Sequence, residues 1–246
     1  MKKYMIISLA VGLALPLQSF AKSSVSQVHK PAFVKRDVPG FVFIEEDFYG
    51  NLQDLPQDFI QASEIAYSQK NFSEAASDLK AASRILQLDS TAATGDGKAE
   101  LNLAANDLER IAGDITDNNI KTPFEFRARL MSAMYHQAEY HRERATQHWL
   151  AKEYKRAGQD MKQSVVAIDK ATKWSGQEIE TGAQKSMRGV REVSGQLIKG
   201  AGWTTAQVGN AFRSLGVATE SLADRVMPKD TVSGTTQAPA PTPKRK

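Results

Sequence analysis

The chain contains no cysteine. Disulfides, thiol nucleophiles, thiolate metal ligands and lipid attachment through an N-terminal cysteine are all excluded. Histidine is scarce too, with four residues in 246. No Gly-x-Ser-x-Gly elbow and no His-Glu-x-x-His pair occurs. There is no Gly-x-x-x-x-Gly-Lys-Ser/Thr loop and no dinucleotide fingerprint. With none of these constellations, neither catalysis nor a cofactor is expected. Long apolar runs are also missing, since a membrane-spanning helix needs about twenty such residues.

What is present begins at the N-terminus. Lys2 and Lys3 precede an apolar run, Tyr4 to Leu15, which Pro16 ends. Ser19 and Ala21 then put small residues at the −3 and −1 positions of a cleavage site. This is the layout of a secretory signal peptide, which predicts cleavage near Ala21 and a periplasmic or secreted protein. Without disulfides, an exported chain of this size must be held by its packed core. Removing 21 of the 246 residues leaves 225, enough for one large or two small domains. The mature chain has 30 basic and 28 acidic residues. Lys229, Lys244, Arg245 and Lys246 near the C-terminus account for the excess. The body carries no concentrated basic patch, so nucleic acid is not an expected partner.

Residues 22–53 read as an extended N-terminal segment. Within it, residues 31–47 mix β-branched and aromatic side chains around Pro39-Gly40, which suits a short hairpin or a strap lying on the body. From Asp54 onward the periodicity is helical. Asp54-Leu55-Pro56-Gln57 predicts a helix start, with proline in the first turn. That helix is expected to reach about Lys70. A second is predicted from a Ser73 cap to about Asp89, and a third from about Lys98 to Ile111, after a break at Gly95-Asp96-Gly97. Thr122-Pro123-Phe124-Glu125 is a capping box opening a long fourth helix to near Lys152. A fifth follows, from about Lys155 to Trp174.

One stretch is written nearly twice. KNFSEAASDLK starts at residue 70 and KEYKRAGQDMK at residue 152, an offset of 82. Phe72, Ala75, Asp78 and Leu79 correspond to Tyr154, Ala157, Asp160 and Met161. The apolar stripe matches as well, with Ala75, Leu79, Ala82 and Leu86 answering to Ala157, Met161, Ser164 and Ile168. The small alanine lets two helices approach, and the aromatic is expected to plug the turn. The pattern resembles a tetratricopeptide-like hairpin and, more loosely, the exported bacterial helical proteins of the YfdX type, over about residues 55–174. A tetratricopeptide array repeats about every 34 residues. The longer offset predicts a compact all-α bundle with a duplicated hairpin rather than a superhelical groove. The resemblance implies no catalytic residue.

In residues 175–227 two further amphipathic helices are predicted, broken at Gly200-Ala201-Gly202. The stripe Val208, Phe212, Leu215 and Leu222 is a candidate face for a membrane or a partner. Gly195, Gly202, Gly209 and Gly216 recur every seven residues. Glycine inside a helix costs about 1 kcal/mol against alanine, so close helix packing is expected there. Residues 228–246 are rich in Pro, Thr and Ser and read as a disordered basic tail.

Three histidines fall on the fourth helix. His141 and His148 border its apolar face of Met131, Met134, Ala138, Ala145 and Trp149, while His136 falls on the opposite face near Glu139. His141 and His148 lie about 10 Å apart along the axis and cannot share one ion alone. His136 and Glu139 give the reverse of the Glu-x-x-His order of di-iron bundles, without a second copy. No metal is expected. Glu45-Glu46-Asp47 reads as a solvated edge. The sequence thus points to an exported, non-catalytic helical binding or structural module. Its expected partner is another envelope protein. The alternative is peripheral association with a membrane through the C-terminal helices and basic tail.

Overall fold

A computed structural model describes residues 4–8, 41–175 and 181–226, with side chains described over 54–175 and 185–226. Two strands, β1 (Tyr4–Ser8) and β2 (Phe41–Glu45), pair antiparallel, with Tyr4 opposite Glu45 and Ser8 opposite Phe41. The rest of the described residues form an all-α helical bundle. Its helices are α1 (Glu46–Ser68), α2 (Phe72–Ala92), α3 (Gly95–Thr116), α4 (Pro123–Leu150), α5 (Tyr154–Trp174), α6 (Thr181–Lys199) and α7 (Thr205–Val226). Most of the segment read as a leader, and the tail from residue 228, lie outside the described residues.

Each helix packs on the next, and α7 returns to lie on α4 and α5. The fourth helix is therefore central. It is flanked by α3, α5 and α7, and its buried residues include Leu130, Met134, His136, Gln137, His141 and Ala145. Its buried residues extend past the apolar face from Met131 to Trp149, to Phe126, Ala133 and Tyr140, because a helix enclosed on several sides buries several faces. Buried hydroxyls stitch neighbours together. Ser83 Oγ donates to Ala105 O across α2–α3, and Ser164 Oγ donates to Ala138 O across α5–α4, both at 2.9 Å.

The turns repeat one geometry. Lys70 is left-handed (φ 62°), its N–H donates to Tyr67 O at 3.0 Å, and the Asn71 N–H donates to Ala66 O at 2.9 Å. Lys152 does the same (φ 60°), donating to Trp149 O at 3.0 Å, and the Glu153 N–H reaches His148 O at 2.8 Å. Both are Schellman closures, which satisfy carbonyls left over at a helix end. The ends of α3 and α6 close likewise through Asn118 and Gly200, both left-handed. The next helices open alike: Glu125 N–H donates to Thr122 Oγ1, and Gln207 N–H donates to Thr204 Oγ1. Each pair, 70 and 152, 118 and 200, 122 and 204, is separated by 82. Helices α2 and α5 start and end 82 residues apart as well. The spacing thus runs through α1–α4 and again through α4–α7, well beyond the two hairpins.

Several expectations are corrected. The first helix starts at Glu46 rather than Asp54, so residues 46–53 are helical and Pro56 lies inside the helix. Glu46 and Asp47 open it, where the macrodipole favours acid, and the reading of the Glu45–Asp47 cluster as an extended edge gives way beyond Glu45. Proline removes one intrahelical donor, and here the helix continues past it. The cap of α2 is Asn71, whose Nδ2 donates to the Glu74 carboxylate; Ser73 lies inside the helix. Gly95 opens α3 instead of breaking the chain, its positive φ of 60° supplying the turn.

The C-terminal glycines do not mediate close packing. A side-chain carbon at Gly195, Gly209 or Gly216 would meet nothing within 4 Å, and Gly202 sits in the turn at φ 86°. The close approach is made by Gly158 on α5. A Cβ there would lie 2.7 Å from Ser194 O and 2.8 Å from Leu197 Cβ, so α6 crosses α5 against bare backbone. Nor is the α7 stripe an open face. Val208 and Leu215 have no exposed surface, Leu222 is buried, and Phe212 is half-buried against the same core. The stripe covers this chain's own interior, because α7 folds back on α4 and α5.

Candidate functional site

The aromatic pair of the repeated stretch ends up in equivalent places with unequal surroundings. Phe72 lies 5.1 Å from Tyr67, centroid to centroid, and Tyr154 lies 5.0 Å from Trp149. Phe72 is nonetheless 43% exposed and plugs little. Tyr154 is enclosed further by Trp203, 4.9 Å away, which follows the α6–α7 turn. Ala75, Leu79, Ala157 and Met161 are all fully buried, as their stripe predicts.

The two aspartates of the repeat differ most. Asp78 on α2 is partly buried; burial and the neighbouring Glu74 push its carboxyl up to about 6. Asp160 on α5 is 1% exposed and gathers side chains from α4. His141 Nδ1 is 3.0 Å from Asp160 Oδ1, His148 Nε2 is 3.5 Å and Arg144 Nε 3.6 Å from Oδ2. Burial opposes ionisation, but the Arg144 charge, the His141 hydrogen bond and His148 together hold the Asp160 carboxyl below the usual range. Positions 141, 144 and 148 lie on one face of α4 because three- and four-residue steps bring side chains over one another. His141 and His148, at the border of the apolar face, thus both turn to Asp160 across the α4–α5 interface. His136, placed opposite, is also buried, with Nδ1 2.6 Å from Glu100 Oε2 of α3.

A second layer lies outside this one. Glu153 Oε2 is 2.6 Å from His148 Nδ1 and 3.2 Å from Arg156 Nη1. Burial raises the Glu153 carboxyl, yet the His148 hydrogen bond and the Arg156 charge leave it lowered. Arg144 Nη1 donates to Tyr140 Oη at 2.5 Å and its guanidinium lies 5.4 Å from that ring's centre. Asp89, at the end of α2, is pushed up to about 6 by burial and Asp160, against the pull of Arg144 and His141.

In front of these layers is a recess of about 280 Å³. Its lining includes Arg144, His148 and Arg156 together with Thr94, Gly97 and Glu143. Gly97 fits closely there: a Cβ would stand 3.2 Å from Tyr140 Cδ2 and 3.4 Å from Glu143 Oε2, so those side chains would have to give slightly. The Glu143 carboxyl is raised by burial and by Asp96, and Gln147 donates to it at 3.0 Å. The recess thus presents two guanidiniums and an imidazole, all fixed from behind, and one carboxylate with weakened ionisation. A guanidinium has five donors in a planar fork, so it can bridge an acid behind it and an acceptor in front.

Sequence reasoning named Asp160 only as a repeat position, and Arg144 and Arg156 not at all. Their signal was present: His-x-x-Arg-x-x-x-His over 141–148 is a polar stripe at the border of the helix's apolar face. Among the described residues no group of three or more His, Asp and Glu is placed to hold a metal ion, and no helix is long and apolar enough to cross a membrane. No family model matches the chain, and comparison with curated proteins and with solved structures finds none similar to it.

Proposed function

We propose that this is an exported, non-catalytic helical binding module, internally repeated with a period of 82, whose recess between the α2–α3 turn and α4–α5 seats a carboxylate group of another envelope protein. The observation that carries the reading is the fixed pair Arg144 and Arg156 lining one recess. Their side chains are anchored by Tyr140, Asp160 and Glu153, so little ordering remains to be done on binding, which favours affinity. Charge-assisted bonds from arginine to carboxylate are the strong members of their class.

A binding role is favoured over catalysis by where the acid–base pair sits. His141 is 6% exposed and does not line the recess, and His148, which does, has both ring nitrogens turned to carboxylates of this chain, Nδ1 2.6 Å from Glu153 and Nε2 3.5 Å from Asp160. General acid–base chemistry needs the base within hydrogen-bond reach of the reacting proton. Export rests on the N-terminal layout, and cleavage near Ala21 would remove the strand that pairs with Phe41–Glu45. The alternative, membrane association through the C-terminal helices, loses its main stripe, which is internal.

The test uses the mature chain with N-acetyl-glutamyl-glutamate as a probe. The dipeptide raises the melting temperature of the wild type, whereas the form with all three carboxyls amidated, N-acetyl-glutaminyl-glutamine amide, does not. Equal shifts with both, or none with either, refute the carboxylate site. Mass spectrometry of the protein recovered from the envelope fraction checks export, with Lys22 as the first residue.

A further inference from the structure

A second recess, sharing no lining residue with the first, lies where α6 and α7 meet α5. It measures about 380 Å³, and Ile168, Met187 and Leu222 are its buried apolar residues. Along α7 its rim runs Arg213, Val217, Ser221, Arg225, one residue per turn. The two arginines stand about 18 Å apart along the axis at 1.5 Å per residue. Between them Val217 is 63% exposed, an apolar side chain left in water at the mouth of an apolar cleft.

Arg213 donates to Asn210 Oδ1 at 3.0 Å, and among the described residues neither Arg213 nor Arg225 is paired with a carboxylate. Glu220 and Asp224 belong to α7 but do not line the cleft. An apolar floor edged by the hydroxyls of Thr172, Ser186, Ser214 and Ser221, with a guanidinium toward each end of its α7 rim, suits an apolar chain carrying a negative head. Small-molecule sites begin at about 300 Å³, and this cleft of about 380 Å³ is of that size. We infer that this cleft binds one monomeric long-chain carboxylate, its aliphatic chain on Ile168, Met187 and Leu222 and its head on an arginine of α7.

The full mature chain is titrated calorimetrically with dodecanoate and with dodecanol, each kept below its aggregation limit. Wild type is expected to bind dodecanoate about tenfold or more tightly than the alcohol, the preference that one charge-assisted pair confers. The double variant Arg213→Gln/Arg225→Gln removes that preference while still binding both. Val217→Asp, at an exposed position that leaves the core intact, weakens dodecanoate binding at least as much. The inference is overturned if wild type binds neither compound, if the two bind equally, or if both variants behave as wild type. It is also overturned if the protein floats with vesicles containing phosphatidylglycerol while ignoring monomeric dodecanoate, because the cleft would then serve a lipid surface.

Discussion

Asp78 and Asp160 occupy the same place on α2 and α5, 82 residues apart, and stand in opposite electrostatic states. Asp160 faces His141 and Arg144 across the α4–α5 interface, and its carboxyl is held low. Asp78 has Glu74 one turn behind it, and its carboxyl is pushed up to about 6. An acid whose folded pKa is raised favours folding only below its unfolded value near 4 and loses that contribution as pH rises through about 6. An acid whose folded pKa is lowered does the reverse, contributing above its unfolded value and losing the contribution as pH falls. Asp78→Asn should therefore stabilise the protein at pH 7.5, with the gain gone near pH 4. Asp160→Asn should destabilise at pH 7.5 by about 3 kcal/mol or more, since a buried partner set is left uncompensated, with a smaller loss in acid. Urea melts of both variants across this range check the opposite trends.

Gly158 predicts a second contrast. Gly158→Ala forces apart the α5–α6 crossing at Ser194 O and Ile198 N and should cost about 1–3 kcal/mol. Gly195→Ala and Gly216→Ala, with open space at the new methyl group, should each stabilise by about 0.5–1 kcal/mol. The three melting curves should therefore fall on both sides of the wild type.

The aromatic turns should be unequal. Phe72→Ala removes a ring that is 43% exposed and should cost about 1–2 kcal/mol. Tyr154→Ala breaks the cluster with Trp149 and Trp203 and should cost about 2–4 kcal/mol. Near-ultraviolet circular dichroism should change more in the Tyr154 variant, because two tryptophans lose their neighbour.

The helices were legible because their signals are local. Thr122-Pro123-Phe124-Glu125 marks a start by its own chemistry, and the stripe from Ala75 to Leu86 marks a buried face by spacing alone. The extent of the repeat was only half legible. Thr204 and Gln207 repeat Thr122 and Glu125 in capping chemistry, but the intervening residues differ, and Asn118 and Gly200 share a backbone angle rather than a side chain. What the α7 stripe covers could not be read, since an amphipathic helix shows one apolar face whether it meets a membrane or its own core. The recess depends on α4 being central. Only once α3, α5 and α7 enclose it do His141, Arg144 and His148 become a buried network instead of an exposed polar stripe.

The most direct test of the binding site is isothermal titration of N-acetyl-glutamyl-glutamate into the mature wild type and into Arg156→Glu. Arg156 is partly exposed at the start of α5 and pairs with Glu153 one turn earlier. The account predicts saturable binding to wild type, weakened at least about tenfold in the variant, with unchanged helical circular dichroism. Equal binding by the two proteins, or no heat from either, would contradict it.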